Sequence, residues 1–437
     1  MELNRVAAAR GEEMRYPKFN TLGNSASAIL LLFYLGAAFV TTAAAKSREH
    51  VIYAFAGYPD CGNLPTARLI ADADGNLYGT TLDGGADRDG CIFEVSRNTN
   101  GSWNETILHS FSGIDGNGPT AALVFDKLGN LYGTTVQGGV YGSGVAFELR
   151  PSSNGEWVET VLHNFGGAND GFAPLSELIF DKDGNLYGTT YLGGEHRGGT
   201  VFELSPSPGG WVETILHSFY ASVIGPGGNL PVGGVVMDGE GNLYGATEAG
   251  GAYAGGAVYE LSPKNGVYRQ HLIHSFSGYD GAEPKSGLAM DPSGNLYGTT
   301  YSGGVSDLGT VFKLTKIGWK WAESVLLSLN GNDGYLAVGP VAIDDDGNVY
   351  AAAIFGGLNA NGSVLKLAPT TTGPWRETIL HLFDFRAPDG VDGAQPYAGV
   401  TLDRGQLFGT TSSGGIHYAG TVFRIRLRHP ETAEQQF

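Results

Sequence analysis

The stretch GNLYGTT (75–81) returns unchanged at 129–135, 184–190 and 294–300, with looser copies GNLYGAT (241–247), GNVYAAA (347–353) and GQLFGTT (405–411). The Asn or Gln positions 76, 130, 185, 242, 295, 348 and 406 are separated by 54, 55, 57, 53, 53 and 58 residues. A period of that size marks an array of similar supersecondary units. The phrase is read here as a building element.

Each unit has the same contents. In the second, LVFD (123–126), NLYGTT, GVAFEL (144–149) and WVETVLHNF (157–165) are runs rich in Val, Leu, Phe, Tyr and Thr, each bounded by turn residues. Such runs are short strands, and D-x-x-G-N between the first two suits a tight hairpin, because Asp bonds nearby amides and Gly accepts positive φ. Four strands per unit and seven units predict an all-β, seven-bladed β-propeller. The last unit stops after GTVFRI (420–425), while EHVIYAFAG (49–57) matches the fourth-strand pattern of ETILHSFSG (105–113). The first mature strand is therefore expected to complete the last blade and remove the exposed edges of an open array. Against a solenoid stand the long units and this displaced strand.

The composition agrees, with 70 Gly in 437 residues and only 16% charged residues. Arg15 and Lys18 precede an apolar run of 13 residues (28–40), followed by TTAAAK, which offers a cleavage site ending at Ala45. This is the layout of a secretory signal peptide at 1–45, with Met14 a possible start, and the run is short for a membrane span. The expected domain division is signal peptide 1–45, propeller 46–429 and tail 430–437, in a secreted or periplasmic protein. The mature chain carries 22 basic and 41 acidic residues, a net charge of −19, which repels nucleic acid and anionic membranes. A monomer is expected.

The phrases DGNLYGTT, GG-x4-GTVFEL and W-x-E-T-x-L-H-S-F-x-G resemble the GloVer-type (Gloeobacter/Verrucomicrobia) tandem repeats over about 49–427. The resemblance implies an exported, propeller-like protein and brings no activity with it. After RLRHPETAEQQF there is no hydrophobic tail of the kind anchored members carry, so free export is expected.

Cys61 and Cys91 are the two cysteines, and blade topology puts both at one face beside the first blade. A disulfide between them is plausible in an oxidising compartment, with two free thiols as the alternative. The histidines of the L-H-x-F motifs (His109, His163, His217, His274, His381) are spread around the rim and are read as structural; no metal or cofactor is expected. The D-x-D-G-N turns lack the third Asp and later Glu of a calcium loop and are read as hairpins. The Trp residues that open the fourth strands are read as packing.

Function is sought where the frame is constant and the contents vary. All seven units carry G-G-x4-G between the second and third strands, and its richest inserts hold Asp87, Arg88 and Asp89, then Glu195, His196 and Arg197, then His417 and Tyr418. Loops of this kind carry binding on rigid scaffolds. In the innermost strand, Arg68 and Glu177 stand where other units have Ala122, Gly234, Gly287, Pro340 and Gly399, so both are candidates for the axial channel. No nucleophile elbow, phosphate loop or H-E-x-x-H is present. The preferred reading is an exported, non-catalytic propeller binding a saccharide or protein through the G-G-x4-G face. The alternative is a propeller enzyme, a polysaccharide or lactone lyase or hydrolase, with His196 or His417 as acid/base and Glu177 and Arg68 as charge partners.

Overall fold

The computed structural model describes residues 49–58, 60–222, 225–386 and 391–427; the expected signal peptide and the tail at 430–437 lie outside them. The described chain is all β, and its main sheets are seven four-stranded blades arranged in a ring. In blade 2 the strands Val124–Phe125, Leu131–Thr135, Val145–Pro151 and Trp157–Asn164 pair in sequence order, each antiparallel to the next. Blade 7 is composite. Its inner three strands are Thr401–Asp403, Gln406–Thr411 and Thr421–Arg426, and its outermost strand is Glu49–Ala54 from the other end of the chain, with Val51 opposite Phe423.

Each letter of the repeated phrase has a physical task, seen most simply in blade 2. The Asp126 carboxylate accepts the amides of Leu128 and Asn130 at 2.8 and 2.9 Å, the Asn130 side-chain amide at 2.7 Å and the Tyr132 hydroxyl at 3.3 Å. Burial pushes this carboxyl up, but the donated hydrogen bonds outweigh it and hold the group below its ordinary value. Gly129 turns the hairpin at a φ of +86°, which glycine adopts without a Cβ penalty. Leu131 is fully buried.

Gly133 lies opposite Phe147, where an added Cβ would stand 2.7 Å from the ring. The pairing recurs as Gly79 with Phe93, Gly188 with Phe202, Gly298 with Phe312 and Gly409 with Phe423. Blade 6 departs on both sides at once: Ala351 lies opposite Leu365. The smaller partner makes room for the added methyl. The first threonine reaches outward, Thr134 Oγ1 donating to the Ser176 carbonyl of blade 3 at 3.0 Å and Thr189 Oγ1 to the Gly233 carbonyl of blade 4 at 3.0 Å. Thr410 does the same from blade 7 to Ala67 of blade 1, so the bond series runs across the closure.

The core lies between blades. Tyr78, Ile92 and Leu108 of blade 1 pack on Leu123, Leu131 and Phe147 of blade 2, with Trp157 against the cluster, and comparable clusters fill the other seams. Each fully buried large side chain contributes roughly 1.5–3 kcal/mol. Cys61 and Cys91 are bonded across 30 residues, fastening the segment after the closing strand to blade 1. Closing a loop of that length stabilises by about 3–4 kcal/mol in the chain-entropy account.

The fixed length of G-G-x4-G also has a structural cause. In blade 2 the Gly144 amide donates to the Gly138 carbonyl at 3.1 Å, all three frame glycines have positive φ, and a Cβ on Gly144 would stand 2.7 Å from Pro174 of the next blade. Frame length is set by this closed ring. Only the insert side chains are left to vary.

Along the outer seams, a histidine or its substitute in one outermost strand meets an Asp from the following loop and a Glu from the next outermost strand. His109 lies 3.1 Å from Asp115, and His274 3.0 Å from Asp280. Burial, followed by the neighbouring Asp115 or Asp280, pushes Glu159 and Glu323 up to about 7, and burial with Asp60 does the same to Glu105. At the seam of blades 3 and 4, Gln270 replaces the Glu and bonds the Gly227 carbonyl instead.

Two expectations follow. Gly133→Ala destabilises by about 1–3 kcal/mol through overpacking, and in a Phe147→Leu background its cost falls below half that value; equal costs in chemical denaturation of both backgrounds contradict the account. Because the seam glutamates are raised in the folded state, their contribution is complete below pH about 4.5 and is lost as pH rises to about 7. Thermal melts are therefore expected to weaken across that window, and Glu159→Gln with Glu323→Gln to flatten the dependence.

Candidate functional site

The 4→1 and 2→3 connections of every blade emerge at the same end of the ring, where short ladders tie them together, as in Cys61–Asn63 with Asp83–Gly84 and Gly171–Phe172 with Leu192–Gly193. A cavity of about 650 Å³ lies there on the axis. Its wall comes from the residues leading into the innermost strands and from Leu82, Tyr191 and Glu248, three of the seven residues that follow the Thr-Thr pairs or their counterparts. At the first position small side chains are enforced: a Cβ on Gly233 would stand 2.3 Å from the Gly287 amide, and one on Gly339 would stand 2.3 Å from that of Gly399.

Against this lining, charged and aromatic groups break the sevenfold pattern. Arg68 of blade 1 donates from Nη2 to Glu177 Oε2 of blade 3 at 2.7 Å, and the Glu177 carboxylate holds the guanidinium above its ordinary value. Lys285 lies 3.2 Å from Glu248, 3.1 Å from Glu283 and 3.9 Å from the Tyr301 ring centre, while the Tyr191 hydroxyl donates to Glu248 at 3.1 Å. Burial presses the Lys285 ammonium down, yet Glu283 and Glu248 together raise it. Burial, then Glu248, raises Tyr191, and burial raises Tyr397 on the same wall. Between these groups, blades 2 and 6 contribute small and apolar lining, Ala121, Ala122, Val338 and Pro340.

Of the residues singled out in the sequence, Arg68 and Glu177 meet in this cavity. The others sit further out on the same end. Arg88 stacks over Tyr58 at 4.2 Å, and Asp89 accepts from Asn117, its carboxyl raised by burial and by Asp87. His196 stacks on Tyr220 at 3.8 Å, while Glu195 and Arg197 line a separate outer cavity with Asp170. Asp87, His417 and Tyr418 are exposed. Neither His196 nor His417 lines the axial cavity.

Sequence reasoning missed Tyr191, Glu248, Lys285 and Tyr397. The signal existed, because the residue after Thr-Thr varies as Leu82, Val136, Tyr191, Glu248, Tyr301, Ile354 and Ser412. A second asymmetry is in the exposed side chains. Tyr58, Tyr141, Tyr253, Tyr279 and Tyr418 project from connections at the cavity end and Tyr220 from the end of a strand there, beside exposed Ile114, Val140, Val305, Leu358 and Ile416, whereas the hairpins of the other end expose Leu128, Val267, Ile317 and Trp319 and no tyrosine among the described residues.

The profile of the Gloeobacter/Verrucomicrobia repeat family matches residues 32–252 and 231–435. No curated protein matches the chain. Among solved structures, a candidate 6-phosphogluconolactonase from Bacteroides uniformis is similar at 15% identity and a TM-score of 0.47, covering 72% of this chain and 84% of its own. A candidate gluconolactonase (14%, TM-score 0.41, 88% and 95% covered) and a protein of unknown function from Dyadobacter fermentans (13%, 0.41, 86% and 98%) are also similar. At these scores the likenesses carry no argument about activity.

Exposed ion pairs contribute up to about 1 kcal/mol and breaking buried ones costs 3–5, so the half-buried Arg68–Glu177 pair is expected between these limits. In a double-mutant cycle of Arg68→Met and Glu177→Gln, denaturation should give a coupling of about 1–3 kcal/mol. Additive costs mean that the pair does not act across the axis.

Proposed function

We propose that this chain, which belongs to the Gloeobacter/Verrucomicrobia repeat family, is an exported, non-catalytic propeller that binds an uncharged saccharide at the cavity end of its axis. The observation that carries the reading is the gathering of tyrosines there, both exposed on the connections and on the wall of the axial cavity. Tyrosine offers a flat apolar face with a polar tip, which suits a ligand whose own faces are apolar and whose edges are hydroxyls. The cavity falls in the size range of small-ligand sites. A terminal sugar unit enters it, and flanking units lie across the rim tyrosines.

Charge favours a neutral ligand. The Arg68, Glu177, Glu248 and Lys285 side chains are already paired, so a uronate has to compete with Glu for its cation, and the whole chain carries −18. The same pairing supports binding over turnover. Both cavity carboxylates are engaged by a cation, whereas a general acid has to carry a proton to its substrate. The enzyme alternative draws on one observation, the concentration of charge in blades 1, 3, 4 and 5.

A glycan array followed by calorimetry tests the proposal. Neutral oligosaccharides are expected to bind without turnover and with little salt dependence. Tyr191→Ala and Tyr397→Ala should each weaken binding at least tenfold, about 1.4 kcal/mol, while Leu128→Ala at the other end leaves it unchanged. Release of product from any bound glycan, or selection of uronates alone, contradicts the proposal.

A further inference from the structure

At the outer seam between blades 2 and 3, three donors from separate elements converge. His163 comes from the outermost strand of blade 2, Asp170 from the connection that follows it, and Glu213 from the outermost strand of blade 3, Gly210–Tyr220. His163 Nε2 is 3.1 Å from Asp170 Oδ2 and 3.6 Å from Glu213 Oε2, and one donor atom from each residue lies within 4.8 Å of the other two. We infer that His163, Asp170 and Glu213 form a binding site for a divalent transition-metal cation of the zinc type, remote from the axial cavity.

The separations carry the first part of the argument. A tetrahedral ion bound at about 2.0–2.1 Å sets its ligand atoms roughly 3.3–3.4 Å apart. The two measured edges bracket that value. One imidazole and two carboxylates form a mixed nitrogen and oxygen set that such ions accept, and three protein ligands leave a fourth position for water.

Glu213 Oε1 is buried without a hydrogen-bond partner, as are the Oε1 atoms of Glu105, Glu159 and Glu323 at other seams, so that feature belongs to the seam glutamates in general; what sets Glu213 apart is its Oε2, 3.6 Å from His163 Nε2. Asp170 also lines an outer cavity of about 670 Å³ with Asn169, Glu195 and Arg197, so the cluster adjoins open volume through which an ion can enter.

The neighbouring seams provide contrast. At the blade 3–4 seam His217 has Gln270 in place of the Glu, and at the blade 1–2 seam His109 and Asp115 pair while Glu159 stands outside ligand distance. A second His/Asp/Glu set, His381, Asp392 and Glu49, gathers where the closing strand meets blade 6. The alternative to an ion is a purely hydrogen-bonded triad, with the Gly166 amide also donating to Asp170.

The test uses untagged, chelator-stripped full-length mature protein and Zn²⁺ alone, titrated by calorimetry, with Co²⁺ absorption reporting coordination number. Wild-type protein is expected to bind one or two equivalents and to show the intense visible bands of four-coordinate Co²⁺. Glu213→Gln and His163→Gln should each remove one equivalent or weaken it at least tenfold, while Glu159→Gln leaves binding unchanged. Glu213→Gln preserves shape, and thermal melting confirms its folding; if it does not fold, His163→Gln decides. No zinc binding by wild type, or binding that both substitutions leave intact, overturns the proposal.

Discussion

The structure depends on one strand pairing, Glu49–Ala54 against Thr421–Arg426, made between the two ends of the described chain. A blade buries its faces only against neighbours, so an incomplete seventh blade leaves two seams open and an unpaired edge on Thr421–Arg426. Three further contacts secure the same place. Thr410 reaches the Ala67 carbonyl, Pro65 packs on Gly420 of the last G-G-x4-G frame, and the Cys61–Cys91 disulfide holds the following segment to blade 1. The entropy of joining distant ends grows only slowly with their separation, which is why a few local contacts can close so large a ring.

Inside the ring, constancy and variation have different causes. The Asp-Asn-Tyr network, the glycine beneath phenylalanine and the threonine reaching the next blade recur because each is a packing solution that the same geometry demands. Ala351 with Leu365 shows that the demand is on the pair and not on glycine itself. The second G-G-x4-G glycines and the small residues of the innermost strands follow the same logic. What remains free is the insert side chains, the residue after Thr-Thr and the first residues of the innermost connection. Some of those positions line the axial cavity, and the inserts stand further out at the same end.

The fold was legible in the sequence because its period is written in residues with strong local preferences, and the missing fourth strand of the last unit matched residues 49–57. Arg68 and Glu177 were visible as departures from small residues, but their 2.7 Å contact spans 109 positions and two seams, and no local pattern encodes it. Tyr191 and Glu248 stood out at the variable position after Thr-Thr, but their meeting with Lys285 was hidden for the same reason: blades 3, 4 and 5 each contribute one side chain. The fixed length of the loop frame follows from a backbone hydrogen bond, backed in blade 2 by the proline of the next blade, and the varying insert side chains remain the part that can carry binding. The seam histidines were read as structural from their spread around the rim, and the aspartates and glutamates that meet them became apparent only when adjacent blades were placed side by side.

Hydrogen exchange of the mature protein measures the closing strand directly. The account predicts that the Val51–Ala54 amides paired with Thr421–Arg426 exchange as slowly as those of the outermost strand of blade 3, Gly210–Tyr220, which closes no ring. Exchange at the rate of unstructured chain in that segment, with the other blades protected, would contradict the closed ring and with it the shared end on which the cavity, the tyrosines and the variable loops are placed.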